Sequence, residues 1–143
     1  MPIRSAEATW EGTLPQGNGT MKFGSGAFEG AYSFASRFEE GSGTNPEELI
    51  GAAHAGCFSM AFSGALSRAG FPPTRVHTVA RVHLERAPEG GFHIPQVDLV
   101  TEGLVPGISP DQFLEVAEAA KKTCPVSKLL AGATITLEAR LLD

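Results

Sequence analysis

The spacing of apolar side chains switches between a period of two and a helical period along the chain, and the switches mark the elements. "EATWEGTL", "NGTMKFGSG" and "AYSFASRFE" alternate as short strands, divided by turn signals at Pro15–Gly19 and Gly24–Gly26. Alternation puts Ala8 and Trp10 on one strand face and Tyr32, Phe34 and Ser36 on another, so Arg37 falls at the end of an apolar strand. Helical signals follow "EEGSGT". Asn45 suits an N-cap, Pro46 the first helical position, and Glu48 the acid of a capping box. This helix is predicted to run to about Ala69 and stop at Gly70, with "FPP" beyond.

A strand is predicted over Val76 to Ala87, turned by "PEGG" into "FHIPQVDLVTEGLV", where Pro95 signals an edge or a bulge. Ser109 caps a helix in "SPDQFLEVAEAAKKT", a short helix follows over Pro125–Ala131, and "TITLEARLL" closes the chain as a strand. Strands, a long helix, a hairpin, then helix and strand make an α+β fold, expected as one domain over residues 1–143.

The Asn45–Ser63 helix stretch has almost no polar face, and a helix apolar all round is expected to be buried all round. Its small residues Gly51, Ala52, Ala53, Ala55 and Gly56 let another backbone come close, so a second helix, from another subunit, is an expected neighbour.

Charge narrows the function. The net charge of −5 and the absence of a basic run argue against a nucleic-acid partner. The N-terminal stretch has no apolar signal-peptide region, and no apolar run is read as long enough to span a bilayer, so a soluble cytoplasmic protein without membrane contact is expected. Two cysteines are too few for a disulfide-stapled secreted scaffold.

Those cysteines are the candidate chemistry. Cys57 lies in the apolar helix and Cys124 precedes Pro125 at the start of a short helix, where N–H groups favour a thiolate. The residues alone leave open inert buried thiols, a redox pair, a thiol hydrolase using Cys57 with His54, and a zinc set of His54, Cys57 and Cys124. His77, His83 and His93 have no ligand-like spacing, so neither metal nor cofactor is expected. A nucleophilic thiol in an apolar site needs a fixed cation, because burial disfavours the anion. Arg37 and Glu47 are the candidates, although the residues alone favour a solvated strand end for Arg37 and a first-turn helix acid for Glu47.

"RFEEGSGTNPEELIGAAHAGCFSMA", "VPGI" and "KKTCPVSKLL" closely resemble the OsmC/Ohr family of thiol-dependent peroxidases, nearer to its OsmC branch, over essentially the whole chain. The resemblance implies an intertwined homodimer with antiparallel sheets wrapped around buried central helices. It implies reduction of organic hydroperoxides, and more weakly hydrogen peroxide, in oxidative or osmotic stress defence. Cys57 would be the peroxidatic and Cys124 the resolving cysteine, joined in a transient disulfide. Arg37 and Glu47 match the "RFE" and "NPE" motifs, and an external dithiol, lipoyl proteins being linked to the family, would be the reductant. His54 is expected to be packing. A non-catalytic redox sensor or small-molecule binder on the same fold is the alternative.

Phe38, Phe58, Met60 and Phe62 are the expected apolar wall of a substrate pocket. Glu47 and Cys57 stand ten residues apart on one predicted helix, about 15 Å along its axis. If Arg37, Glu47 and Cys57 share a site, either the helix breaks or Glu47 comes from a partner chain, which places the active sites at a dimer interface.

Overall fold

A computed structural model describes all 143 residues, Met1–Asp143, which fall into two compact units, Met1–Leu49 and Ile50–Asp143. The first unit opens with strands β1 (Ala6–Glu11), β2 (Asn18–Phe23) and β3 (Glu29–Tyr32), an antiparallel meander in sequence order. Trp10 pairs with Gly19, which pairs with Tyr32. A Cβ on Gly19 would lie 2.7 Å from the Tyr32 ring and 2.8 Å from the Trp10 ring. The missing side chain lets those two rings meet at 5.3 Å between centroids.

The strand expected through Phe34–Ser36 is corrected: β3 stops at Tyr32 and Phe34–Phe38 form a short helix, α1. Ser33 caps it, accepting from the Ser36 N–H while Ser36 Oγ accepts from the Ser33 N–H. Alternation misread this segment because a five-residue helix is too short to show its period. Arg37 therefore lies in the last turn of a helix, not at a strand end. Ser36 Oγ also donates to the Thr44 carbonyl at 2.7 Å, and Asn45 Nδ2 donates to the Ser36 carbonyl at 3.1 Å. These bonds tie α1 to the start of helix α2 (Pro46–Arg68), where the Asn45 side chain accepts the Glu48 N–H at 2.7 Å.

α2 continues unbroken into the second unit and ends as expected. Gly70, at φ +96°, turns the chain, and the Phe71 N–H bonds back to the Leu66 carbonyl. Strands β4 (Arg75–Arg86), β5 (Phe92–Leu104) and β6 (Thr134–Leu142) form a sheet in that order, with helices α3 (Pro110–Thr123) and α4 (Pro125–Leu129) between β5 and β6. The expectation of purely antiparallel sheets is corrected here, since β5 pairs antiparallel with β4 but parallel with β6. The α3–α4 crossover makes the parallel pairing possible. The β4–β5 register shifts between His83 and Glu85, opposite the segment holding Pro95. Pro95 thus sits at a bulge in the central strand.

The core of this unit joins Phe58, Phe62 and Leu66 of α2 to Leu99 of β5 and Phe113, Ala117 and Ala120 of α3. Phe62 and Phe113 meet edge-on at 5.1 Å between centroids. Gly51 brings α2 close to β4, with a Cβ position 3.4 Å from the Ala80 carbonyl and 3.5 Å from Val82.

Two expectations about α2 need correction. Ala52, Ala53, Gly56 and Met60 are exposed along one stripe, with Met60 at 79%. Burial all round is therefore not achieved within one chain. The 23-residue helix is also long and apolar enough to cross a membrane by length and composition alone. Its two glutamates lie in the first turn and leave the remainder uncharged up to Arg68.

Candidate active site

The four expected catalytic residues fall into two pairs, one within each unit. In the first, the Arg37 guanidinium donates from Nε to Glu47 Oε1 at 3.0 Å and from Nη2 to Oε2 at 2.9 Å. This bidentate fork fixes the plane of the guanidinium. The Glu47 side chain is 10% exposed and that of Arg37 34%, so one edge of the cation stays available. Glu47 is placed by the first turn of α2 and Arg37 by α1, two elements joined through Ser36 and Asn45.

Arg37 also lines a cleft of about 400 Å³ in this unit, walled by Trp10, Tyr32, Phe34 and Phe38. Its guanidinium carbon lies 5.3 Å from the Phe38 ring centroid. Trp10, Tyr32 and Phe34 were not singled out from the sequence. Their common signal was aromatic residues at paired strand positions around Gly19, which alternation alone did not connect.

In the second unit, Cys57 Sγ and Cys124 Sγ stand 3.1 Å apart as free thiols. α2 presents Cys57 half-buried, whereas Cys124, between α3 and α4, is fully buried. A disulfide needs about 2.05 Å between the sulfurs, so a shift of roughly 1 Å closes the bond.

The pair shares one anion unequally. Burial raises the Cys57 pKa, and its hydrogen bond to Cys124 raises it further, against the Val126 N–H. Burial also pushes Cys124 upward, but the Cys57 thiol, the N–H and hydroxyl of Ser127 and the Val126 N–H more than offset it. Within one chain the Cys124 thiol is therefore lowered and Cys57 raised. Cys124 is the N-cap of α4 but its side chain makes no conventional cap bond; individual donors, not a long helix dipole, favour its anion.

Among the expected pocket residues, Phe58 and Phe62 are fully buried in the core and offer no surface to a substrate, a correction caused by their inward position on α2. Met60 is on the exposed stripe and Phe38 is beside Arg37. His54 is fully buried, with Nε2 2.8 Å from Ser127 Oγ. It does not join the two cysteines as a three-ligand group. Ser127 and Val126 were missed in the sequence, although the Cys-x-x-Ser spacing of "CPVS" places a hydroxyl one turn after Cys124.

Comparison with known proteins shows the family and the fold. The chain is 47% identical over 139 residues to Peroxiredoxin OsmC of Escherichia coli K12, covering 96% of both chains, and equally to that of Shigella flexneri. Solved structures share the fold. The organic hydroperoxide resistance protein OhrB of Bacillus subtilis matches at a TM-score of 0.72 and 24% identity, covering 96% of this chain and 98% of that one. An organic hydroperoxide resistance protein OsmC from Legionella pneumophila matches at 0.73 and 22%, over the full length of both. The family model for OsmC-like proteins matches residues 39–139, a span that takes in Glu47, Cys57 and Cys124, and the chain belongs to that family.

Proposed function

We propose that this chain is a cysteine-based peroxidase that reduces organic hydroperoxides through a Cys57–Cys124 disulfide. The observation that carries the reading is the pair of free sulfurs at 3.1 Å, one accessible and one fully buried. Access favours Cys57 as the attacking thiol and Cys124 as its partner. A peroxide reaches Cys57, while Cys124 can be reached only by Cys57. The 47%-identical relatives named peroxiredoxins support the activity.

In the first step the Cys57 thiolate attacks one peroxide oxygen, the O–O bond breaks, and the alkoxide leaves as alcohol after taking a proton. Cys57 becomes a sulfenic acid. Cys124 then attacks that sulfur, the S–O bond breaks, and water leaves as the disulfide forms. An external dithiol restores both thiols by exchange; lipoyl proteins are the proposed class. The reducing step suits a cytoplasmic location.

Arg37 is the proposed cation that moves the shared anion from Cys124 to Cys57 and steadies the charge on the departing oxygen. Glu47 holds its plane. Because α2 is unbroken from Pro46 to Arg68, we assign the Arg37–Glu47 pair that serves Cys57 to the partner chain of a homodimer. The exposed Ala52, Ala53, Gly56 and Met60 stripe is the proposed surface on which the two α2 helices meet. The aromatic cleft beside Arg37 suits the organic group of the peroxide. The two units act together as a single domain, in keeping with a family match that runs across their boundary.

Peroxide consumption with a dithiol reductant tests this reading. Turnover of cumene hydroperoxide by the wild type, and none by Cys57→Ser, is expected. Equal consumption by the two proteins refutes it.

A further inference from the structure

The steps above leave one buried titratable group unused. His54 is 0% and Ser127 5% exposed, and the ring Nε2 and the hydroxyl oxygen are 2.8 Å apart across 73 residues of sequence. Burial lowers the His54 pKa, so the imidazole is neutral at pH 7. Its Nδ1 is buried without a partner. An orphaned N–H would cost more than a bare lone pair, so the proton belongs on Nε2. Nε2–H then donates to Ser127 Oγ, and the serine hydroxyl is free to donate onward.

Cys124 is the N-cap of α4 and stands three residues before Ser127, so the two side chains share one helical turn, and the Ser127 hydroxyl and N–H both favour the Cys124 anion. His54 and Ser127 are thus bonded to each other one helical turn from Cys124, whose sulfur lies 3.1 Å from Cys57. Every member belongs to the second unit.

We infer that His54 and Ser127 form a donor relay for the resolving thiol: the Ser127 hydroxyl stabilises the Cys124 thiolate as it attacks the Cys57 sulfenic acid, and His54 holds that hydroxyl in its donating orientation. In this step a Cys124 electron pair forms the S–S bond and the Cys57 S–O bond breaks. The departing hydroxide takes up the proton Cys124 gave up and leaves as water. Ser127 and His54 lose no proton overall. Ser127 is assigned to act on a reacting sulfur, and His54 is a positioning residue. The inference rests on the peroxidase reading.

Losing one hydrogen bond to a charged group raises a thiol pKa by about one to two units. The thiolate fraction falls accordingly, but greater nucleophilicity returns about half of that loss on a logarithmic scale, leaving a roughly three- to tenfold slower closure. The relay also competes for the anion with Cys57, so removing it does not slow the first step. A purely structural bond between α2 and α4 would instead slow both steps together.

The test is single-turnover mixing with cumene hydroperoxide, quenched at intervals with an alkylating agent. Intact mass, with dimedone capture of sulfenic acid, then follows Cys57 oxidation and disulfide closure separately. Ser127→Ala is expected to slow closure by that factor and accumulate sulfenic acid, with Cys57 oxidation undiminished; Ser127→Thr restores closure. His54→Leu with His54→Gln as its rescue carries the same comparison if Ser127→Ala does not fold. Closure at the wild-type rate, or equal slowing of both steps, overturns the relay. A wild type that forms no disulfide would instead overturn the peroxidase reading.

Discussion

Replacing Gly56 with leucine should have opposite effects on the single chain and on the dimer. Gly56 lies on the exposed stripe of α2, and a Cβ built there meets no atom within 4 Å. In one chain Gly56→Leu therefore replaces a poor helix former without a clash, a gain of about 0.8–1 kcal/mol. If two α2 helices meet on this stripe, the added side chain is forced into a contact built for small residues. Overpacking costs about 1–3 kcal/mol per site, and two-fold symmetry counts it twice. The resulting 2–6 kcal/mol weakens dimerisation by roughly thirty- to twenty-thousandfold. Sedimentation across a concentration series reads the second effect. Thermal unfolding at the same concentrations reads the first, because the melting temperature of a dimer rises with concentration and that of a monomer does not. An unchanged dimer constant in Gly56→Leu would refute the placement of the interface.

Three further outcomes are expected. Cys124→Ser should stop at a Cys57 sulfenic acid after one equivalent of peroxide and then over-oxidise, seen by intact mass as added oxygen rather than lost hydrogen. Glu47→Gln should slow Cys57 oxidation by about ten- to a hundredfold through misplacement of Arg37, measured by competition kinetics with the sulfenic-acid step isolated. His54 has a lowered folded-state pKa, so the unfolded chain binds the proton more readily. Its contribution to stability is present above about pH 6.5 and is lost as pH falls below it. Denaturant unfolding from pH 7.5 to 5 should show this loss in the wild type, and a flatter profile in His54→Gln.

Long, punctuated elements were legible in the sequence. The Asn45 cap, Gly70 stop and Ser109 cap each rest on side-chain or backbone chemistry within a few residues, and all appear where expected, whereas the Glu48 carboxylate expected in a capping box instead accepts from Thr44 Oγ1. Pro95 at a bulge follows from the donor it lacks. Short or long-range features were hidden. α1 is only five residues long, and its Ser33–Ser36 caps look like strand alternation. The parallel β5–β6 pairing depends on a crossover that leaves no local mark. The sequence could suggest that Cys57 and Cys124 are partners only through their number and the family resemblance. Their 3.1 Å approach depends on α2 and α4 meeting across 67 residues. The same meeting brings His54 to Ser127, so the histidine expected as a packed core residue is buried and hydrogen-bonded, with a partner the sequence did not show. The aromatic core positions Phe58 and Phe62 were ambiguous for another reason. A helix with apolar residues on every side does not say which of them face inward.

The central claim is that Cys57 and Cys124 close on each other when a peroxide arrives. Reduced protein treated with a slight excess of cumene hydroperoxide, denatured and measured by intact mass, tests it directly. The account predicts a loss of two hydrogens, with Cys57 and Cys124 joined in the peptide map. Two thiols surviving unchanged, or oxygen added without a disulfide, would contradict it.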